Sequence, residues 1–274
     1  MEKQNSTQVQ TAKAAKKVGG INAAWTILIL IVIGQLIYHF ILGSESNFEG
    51  GDPKGDTKNF MGIIHKGGII VPILITLLLC VIVFSIERFF VLTKAQGVGS
   101  VTKFVSQIRT LLDKNEINEA ISLCEKQKGS IGNVVKEGLT TYKVLENDTT
   151  MTKDQKLVEL NKSLEEATTL EMPMLEKSMT ILATIASVGT LIALMGTVIG
   201  MIKAFFALGQ GGGSPDAAAL SIGISEALVN TALGIGTSAC AIMLYNYFTS
   251  KIDSLTFKID EVGMSIQQSF AAYH

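Results

Sequence analysis

Hydroxyl side chains recur at helical spacing in the last third of the chain. Thr190 and Thr197 lie seven residues apart, nearly eclipsed at 3.6 residues per turn, and Ala186 and Ala193 complete their line. Glu226, Asn230 and Thr237 form a second line, and Thr231 with Ser238 forms a third beside it. Hydroxyls aligned on a helix in a bundle can hold water or relay protons. Glu226 is the only carboxylate well inside a long apolar run. A charge at membrane depth costs roughly 2.5 to 3.5 kcal/mol on insertion scales, so Glu226 is expected to face protein or water. The plainer reading is a structural Glu, hydrogen-bonded near the end of its helix. Lys203, near the end of its own run, can snorkel to the interface and is assigned no role. One acid and several threonines are too few for a complete ion path, so a partner is expected to supply the missing titratable group.

Other chemistries find little support. The 274 residues carry 24 acids and 23 bases, with no basic stripe of the kind phosphate binding needs, which weighs against nucleic acid. Cys80, Cys124 and Cys240 are far apart, with no CxxC pair and no neighbouring His, which argues against a zinc site or a disulfide framework. His39, His65 and His274 all flank apolar segments or end the chain, a poor basis for a nucleophilic triad. The glycine run Gly209 to Gly213 is not followed by GK[ST] and reads as a flexible turn, not a phosphate loop. No cofactor, no metal and no enzymatic activity are expected.

These side chains must be positioned by helices in a bilayer. Charged residues make up 17% of the chain against about 25% in average soluble domains, and the deficit is concentrated in four apolar runs. Each is long enough to cross a hydrocarbon core, and helices are the expected spanning form. The spacing predicts an all-α integral membrane protein with four transmembrane helices. It divides into a tail at 1–20, an extra N-terminal span at 21–42, a loop at 43–68 and a span at 69–92. A helical domain at 93–178 follows, then a span at 179–208, a short loop at 209–219, a span at 220–248 and a closing helix at 249–274. The first run is read as a retained helix, because it exceeds a signal peptide's apolar stretch and no A-x-A-like site follows.

Basic flanks set the orientation. Lys3, Lys13, Lys16, Lys17, Arg88, Lys94, Lys103, Lys177, Lys251 and Lys258 all fall on one side of four crossings, which places both termini and the helical domain in the cytoplasm. Within that domain Val105, Ile108, Leu111 and Leu112 recur at helical spacing, as do Ile117, Ala120, Ile121 and Leu123, and then Leu157, Leu160, Leu164 and Ala167. Ile252, Leu255, Ile259, Val262 and Ile266 alternate steps of three and four, a coiled-coil-like seam. Long helical rods leaving the membrane are expected, one of them kinked by Pro173. Gly196, Gly200 and Ala204, and likewise Ala232, Gly236 and Cys240, recur at intervals of four, so Gly196, Gly200 and Gly236 are expected to pack helices closely.

The segments LATIASVGTLIALMGTVIGMIKAFFALG, Leu182 to Gly209, and SPDAAALSIGISEALVNTALGIGTSACAIMLYNYF, Ser214 to Phe248, resemble the MotA/TolQ/ExbB proton channel family, its ExbB branch above all. The GTVxGM stretch, the GISEAL stretch, the closing YNYF and the Glu87-Arg88 pair carry the likeness, which covers roughly Ile69 to Ser250. The alanine-proline pair that often precedes the family's GTV, and a proline in its last span, are missing here, and the first span is an addition.

The resemblance implies a homopentameric ring in the bacterial inner membrane around single-span ExbD- or TolR-like partners, each bearing a membrane Asp. It also implies that proton flow drives the partners, which act on a TonB-like protein to energise outer-membrane transport. By the same resemblance Thr197, Thr231 and Glu226 would line the lumen, with Thr190, Asn230 and Ser238 as supporting polar groups. TolQ-like envelope maintenance is the alternative within the family, and a membrane scaffold without ion conduction is the alternative outside it.

Overall fold

A computed structural model describes residues 22–53, 55–210 and 217–273. The expected tail at 1–20, with its lysines, and the centre of the loop at 209–219 lie outside the described residues. Nine α-helices are described: α1 Ala23–Leu36, α2 Phe60–His65, α3 Val71–Gln96, α4 Val101–Asp113, α5 Ile117–Gln127, α6 Gly129–Glu146, α7 Lys153–Glu176, α8 Met179–Gln210 and α9 Ala217–Tyr273. Among the described residues there is no strand, only an isolated bridge between Phe48 and Thr57. Four helical stretches are long and apolar enough to cross a membrane, beginning at Ala23, Gly68, Met179 and Leu220.

The first of these continues from α1 through a π-helical turn at Ile37–Leu42. It lies against α3 where Gly34 meets Thr76, a contact that leaves no room for a Cβ. Beyond it, the segment up to α3 is folded. Asn47 donates to the carbonyls of Ile41 and Leu42 at 2.7 and 3.0 Å, so it holds the end of the first span. Asn59 caps α2, accepting from the Gly62 amide at 3.0 Å. The His65 ring stacks on Tyr38 at 4.6 Å.

The helical domain is built as its periodicity predicts. Thr152 and Gln155 form a reciprocal capping box that starts α7. Gly97, with φ +79, and Asn115, with φ +58, stand at the ends of α3 and α4, where the chain must turn through left-handed backbone. Ile108, Ile131, Leu139, Leu160, Val262, Ile266 and Phe270 are completely buried in the core. The seam from Ile252 to Ile266 faces that core along its whole length. At 57 residues, α9 is one continuous rod of about 85 Å that joins the fourth span to the domain.

The junction of α7 and α8 differs from expectation. Helix α7 runs through Pro173 and stops at Glu176, and the chain breaks at Lys177 and Ser178, beyond the proline. A buried ion pair explains where. Arg88, 1% exposed, pairs with Glu87 at 3.0 Å and donates through Nη1 to the carbonyls of Met174 and Leu175, both at 3.1 Å. These are among the last four carbonyls of α7, which have no partner within the helix. Glu87 accepts from the Ser178 hydroxyl at 2.7 Å, so the two charges grip both sides of the break.

Candidate functional site

Helices α8 and α9 run antiparallel, and their approach is set by residues too small to hold them apart. A Cβ added at Gly200 would come within 2.8 Å of the Gly223 carbonyl, and one at Gly196 within 2.9 Å of the Asn230 side chain. Gly234 meets Ala193 with no space for a methyl group. In lipid, association rests on such close packing and on hydrogen bonds, since the surroundings are as apolar as the helices. Gly236 departs from expectation: nothing lies within 4 Å of the position its Cβ would take. The stripe Ala232, Gly236 and Cys240 has the right spacing but occupies another face of α9. The packing face carries Gly223, Ala227, Asn230 and Gly234.

This approach joins the hydroxyl lines in pairs. Thr197 and Thr231 share a hydrogen bond of 2.5 Å, and Thr190 donates to Ser238 at 2.9 Å. Each hydroxyl of the first pair also lies within reach of a carbonyl one turn back, Thr197 of Ala193 at 3.1 Å and Thr231 of Ala227 at 3.0 Å. A hydroxyl has a single proton to donate. Either Thr231 donates to Thr197, which donates to Ala193, or Thr197 donates to Thr231, which donates to Ala227. The pair therefore has two exchangeable orientations, the property a proton relay needs. The two pairs lie two helical turns apart, about 10 Å along the axis. That gap is too long for a direct hydrogen bond, so the two pairs within one chain do not form a continuous wire.

Glu226 belongs to a different cluster. Its carboxylate, 6% exposed, accepts from Lys203 Nζ through both oxygens, at 2.7 and 3.0 Å. Lys203 is thus the counter-cation of Glu226, a role the sequence reading did not assign it. The carboxylate presses on Gly68, whose φ of +78 and lack of a side chain admit it. Asn230, completely buried one turn along α9, donates to the Gly67 carbonyl at 2.9 Å, while its Oδ1 has no hydrogen-bond partner. Thr237, on the same line, donates to its own helix at Leu233. Within one chain, then, Thr197 and Thr231 share a surface and Glu226 does not join them. Glu226 and Asn230 tie the hairpin to the start of α3.

The pairing has a signal in the sequence. In an antiparallel hairpin, residues equidistant from the turn meet. Thr197 lies 13 residues before Gln210 and Thr231 lies 14 after Ala217, while Thr190 and Ser238 lie 20 and 21 away. Lys203 and Glu226 lie 7 and 9 away, close enough in depth for the longer lysine to reach. No group of three or more His, Cys, Asp or Glu able to hold a metal occurs among the described residues. Burial pushes the Cys124 thiol up to about 12, so it is inert in the domain core.

The sequence profile of the MotA/TolQ/ExbB proton channel family matches residues 126–261, which takes in α8 and α9 as far as Glu261. The chain belongs to that family. Three similar proteins fit this family assignment. An ExbB homolog of Methanothermobacter thermautotrophicus is 26% identical over 78% of this chain and 72% of its own length. A biopolymer transport protein ExbB of Xanthomonas campestris pv. campestris is 33% identical over 41% of this chain and 44% of its own. The Tol-Pal system protein TolQ of Haemophilus influenzae is 27% identical over 72% of this chain and 87% of its own. The family match contains every residue of the two hydroxyl pairs and of the Lys203–Glu226 pair.

Proposed function

We propose that this chain is the channel subunit, not an enzyme, of a proton-driven inner-membrane motor. In this reading five copies form a ring around ExbD-like single-span partners with a membrane Asp, and proton flow energises TonB-dependent outer-membrane transport. The helical domain and both termini are cytoplasmic. The observation that carries the reading is the Thr197–Thr231 pair, held across a closely packed hairpin in two exchangeable hydrogen-bond orientations. A partner Asp facing that pair would complete the relay that the chain leaves open. A proton crossing the membrane releases about 2.3 kcal/mol per 100 mV, which sets the scale of work available. Lys203 supports the same reading, because it gives Glu226 a fixed counter-charge and leaves the moving charge to the partner.

A TolQ-like role in envelope maintenance is the second reading. It is favoured by the long match to the Haemophilus influenzae TolQ. Purification of the tagged chain in mild detergent, with native mass and identification of the bound proteins, tests both. A ring of five holding single-span chains with a membrane Asp is expected, and the partner's outer domain separates TonB from Tol systems. A monomer or dimer in several detergents and in nanodiscs would remove the ring, and with it the lumen assigned to Thr197 and Thr231.

A further inference from the structure

Away from the hairpin, a recess of about 430 Å³ lies where α3 leaves its apolar run and α6 begins. Phe90, Val91 and Met174 give it an apolar wall, while Lys94 and Lys128 stand at its edge and Ser130 lines it. Its position matches a bilayer boundary. The apolar run of α3 ends at Leu92, and Phe89 and Phe90 just before it are 54% and 67% exposed. Exposed phenylalanines that close an apolar run, with a lysine one turn on that can snorkel to the headgroups, fit a membrane boundary.

Two independent features of the recess call for an anion. Helix α6, 18 residues long, starts at Lys128 and Gly129 with no side chain capping its first amides. That end carries the positive pole of α6, and the ammonium groups of Lys94 and Lys128 outweigh the carbonyl ends of α3 and α5, which meet it at Gly97 and Lys128. Separately, Ser130 is 1% exposed and its hydroxyl has no hydrogen-bond partner, although a buried hydroxyl normally has one. The lining holds no carboxylate to neutralise this charge; Glu171 holds Asn133 at the rim, at 3.0 Å, and lies outside it. A free phosphate would match the donors and leave Phe90, Val91 and Met174 bare. A phosphate with an acyl chain attached matches both halves of the recess.

We infer that this recess binds the headgroup of an anionic glycerophospholipid from the surrounding bilayer, with the phosphate at Lys94, Lys128 and the start of α6 and an acyl chain along Phe90, Val91 and Met174. The site is separate from the hydroxyl pairs and does not depend on proton conduction.

The test titrates the full-length chain in mild detergent with dioleoyl phosphatidylglycerol or dioleoyl phosphatidylcholine and counts bound lipids by native mass spectrometry. Phosphatidylglycerol should bind more tightly. K94Q/K128Q should weaken it roughly 30-fold, the scale of two basic side chains near an anionic surface, while K94R/K128R keeps it. Equal binding of the two lipids, or phosphatidylglycerol binding untouched by K94Q/K128Q, would overturn the site. Full displacement of the lipid by inorganic phosphate would also overturn it, by making the recess a free-phosphate site. Should K94Q/K128Q fail to fold, the contrast between the two lipids on the unaltered chain decides alone.

Discussion

The two halves of α9 are one unbroken helix and yet are packed by opposite means. In the membrane half the large side chains point outward, Leu228 at 66%, Ile235 at 54% and Met243 at 64% exposed, while glycine, alanine and short polar groups face α8. In the domain half Ile259, Val262, Ile266 and Phe270 are buried, and Lys251, Asp253 and Asp260 face outward. The difference follows from the solvent. Water drives large aliphatic residues into a core at roughly 25 cal/mol per Å² of apolar surface buried. Lipid gives no such drive, so close approach and hydrogen bonds hold the helices there, and a polar relay can be kept between them. The same division leaves hydroxyls paired between two helices where protons are proposed to move.

The boundary between the apolar spans and the helical domain should be the most sensitive point. Arg88→Ala leaves the Glu87 carboxylate buried without its cation and frees the carbonyls of Met174 and Leu175. A loss of about 3 to 5 kcal/mol is expected, read as lowered thermal unfolding of the purified chain. Arg88→Ala with unchanged unfolding would show that the α7–α8 break is held by something else.

Within the domain half, Ile266→Ala should cost about 2 to 5 kcal/mol, whereas Leu228→Ala in the membrane half should stay within about 0.5 kcal/mol. Equal losses from the two substitutions would erase the contrast between the halves.

Overpacking tests the membrane half from the other side. Gly234→Val drives two methyl groups into Ala193 and should cost about 1 to 3 kcal/mol of hairpin stability, while Gly236→Val meets open space within the chain. Cysteine cross-linking of α8 to α9 in each background reads the difference, and equal cross-linking in both would contradict the packing face described.

The smallest effect is expected outside the spans. Burial, and then the neighbouring His39, hold the His65 imidazole below its usual range. Its neutral form is therefore the folded one. The stability it contributes is full above the usual His value of about 6.5 and is lost as pH falls through the lower folded value. Amide protection factors in residues 43–53 and 55–66, corrected for the intrinsic pH dependence of exchange, should fall on acidification, and His65→Phe, which keeps a ring against Tyr38, should flatten that response.

Much of the fold is legible in the sequence because the four runs, the 252–266 seam and the helical-domain periodicities are local patterns. The hydroxyl lines are legible for the same reason, as each needs only 3.6 residues per turn. What escaped is what depends on a second element. Gly196 and Gly236 sit in equally spaced small-residue stripes, and only the partner helix decides that the first is packed and the second is open. Lys203 read as an interfacial lysine until the hairpin brought Glu226 to its depth. Arg88 reaches carbonyls 86 and 87 residues away, a contact no spacing announces.

Proton uptake tests the proposed proton step at the Thr197–Thr231 pair most directly. Proteoliposomes holding the chain with its co-purified single-span partner, under an imposed potential, would be compared with Thr197→Val and Thr231→Val assembled to the same extent. Both substitutions should lower uptake severalfold while ring mass and partner content stay unchanged. Uptake equal to that of the unaltered protein in both would contradict the proton step and leave the pair as helix packing alone.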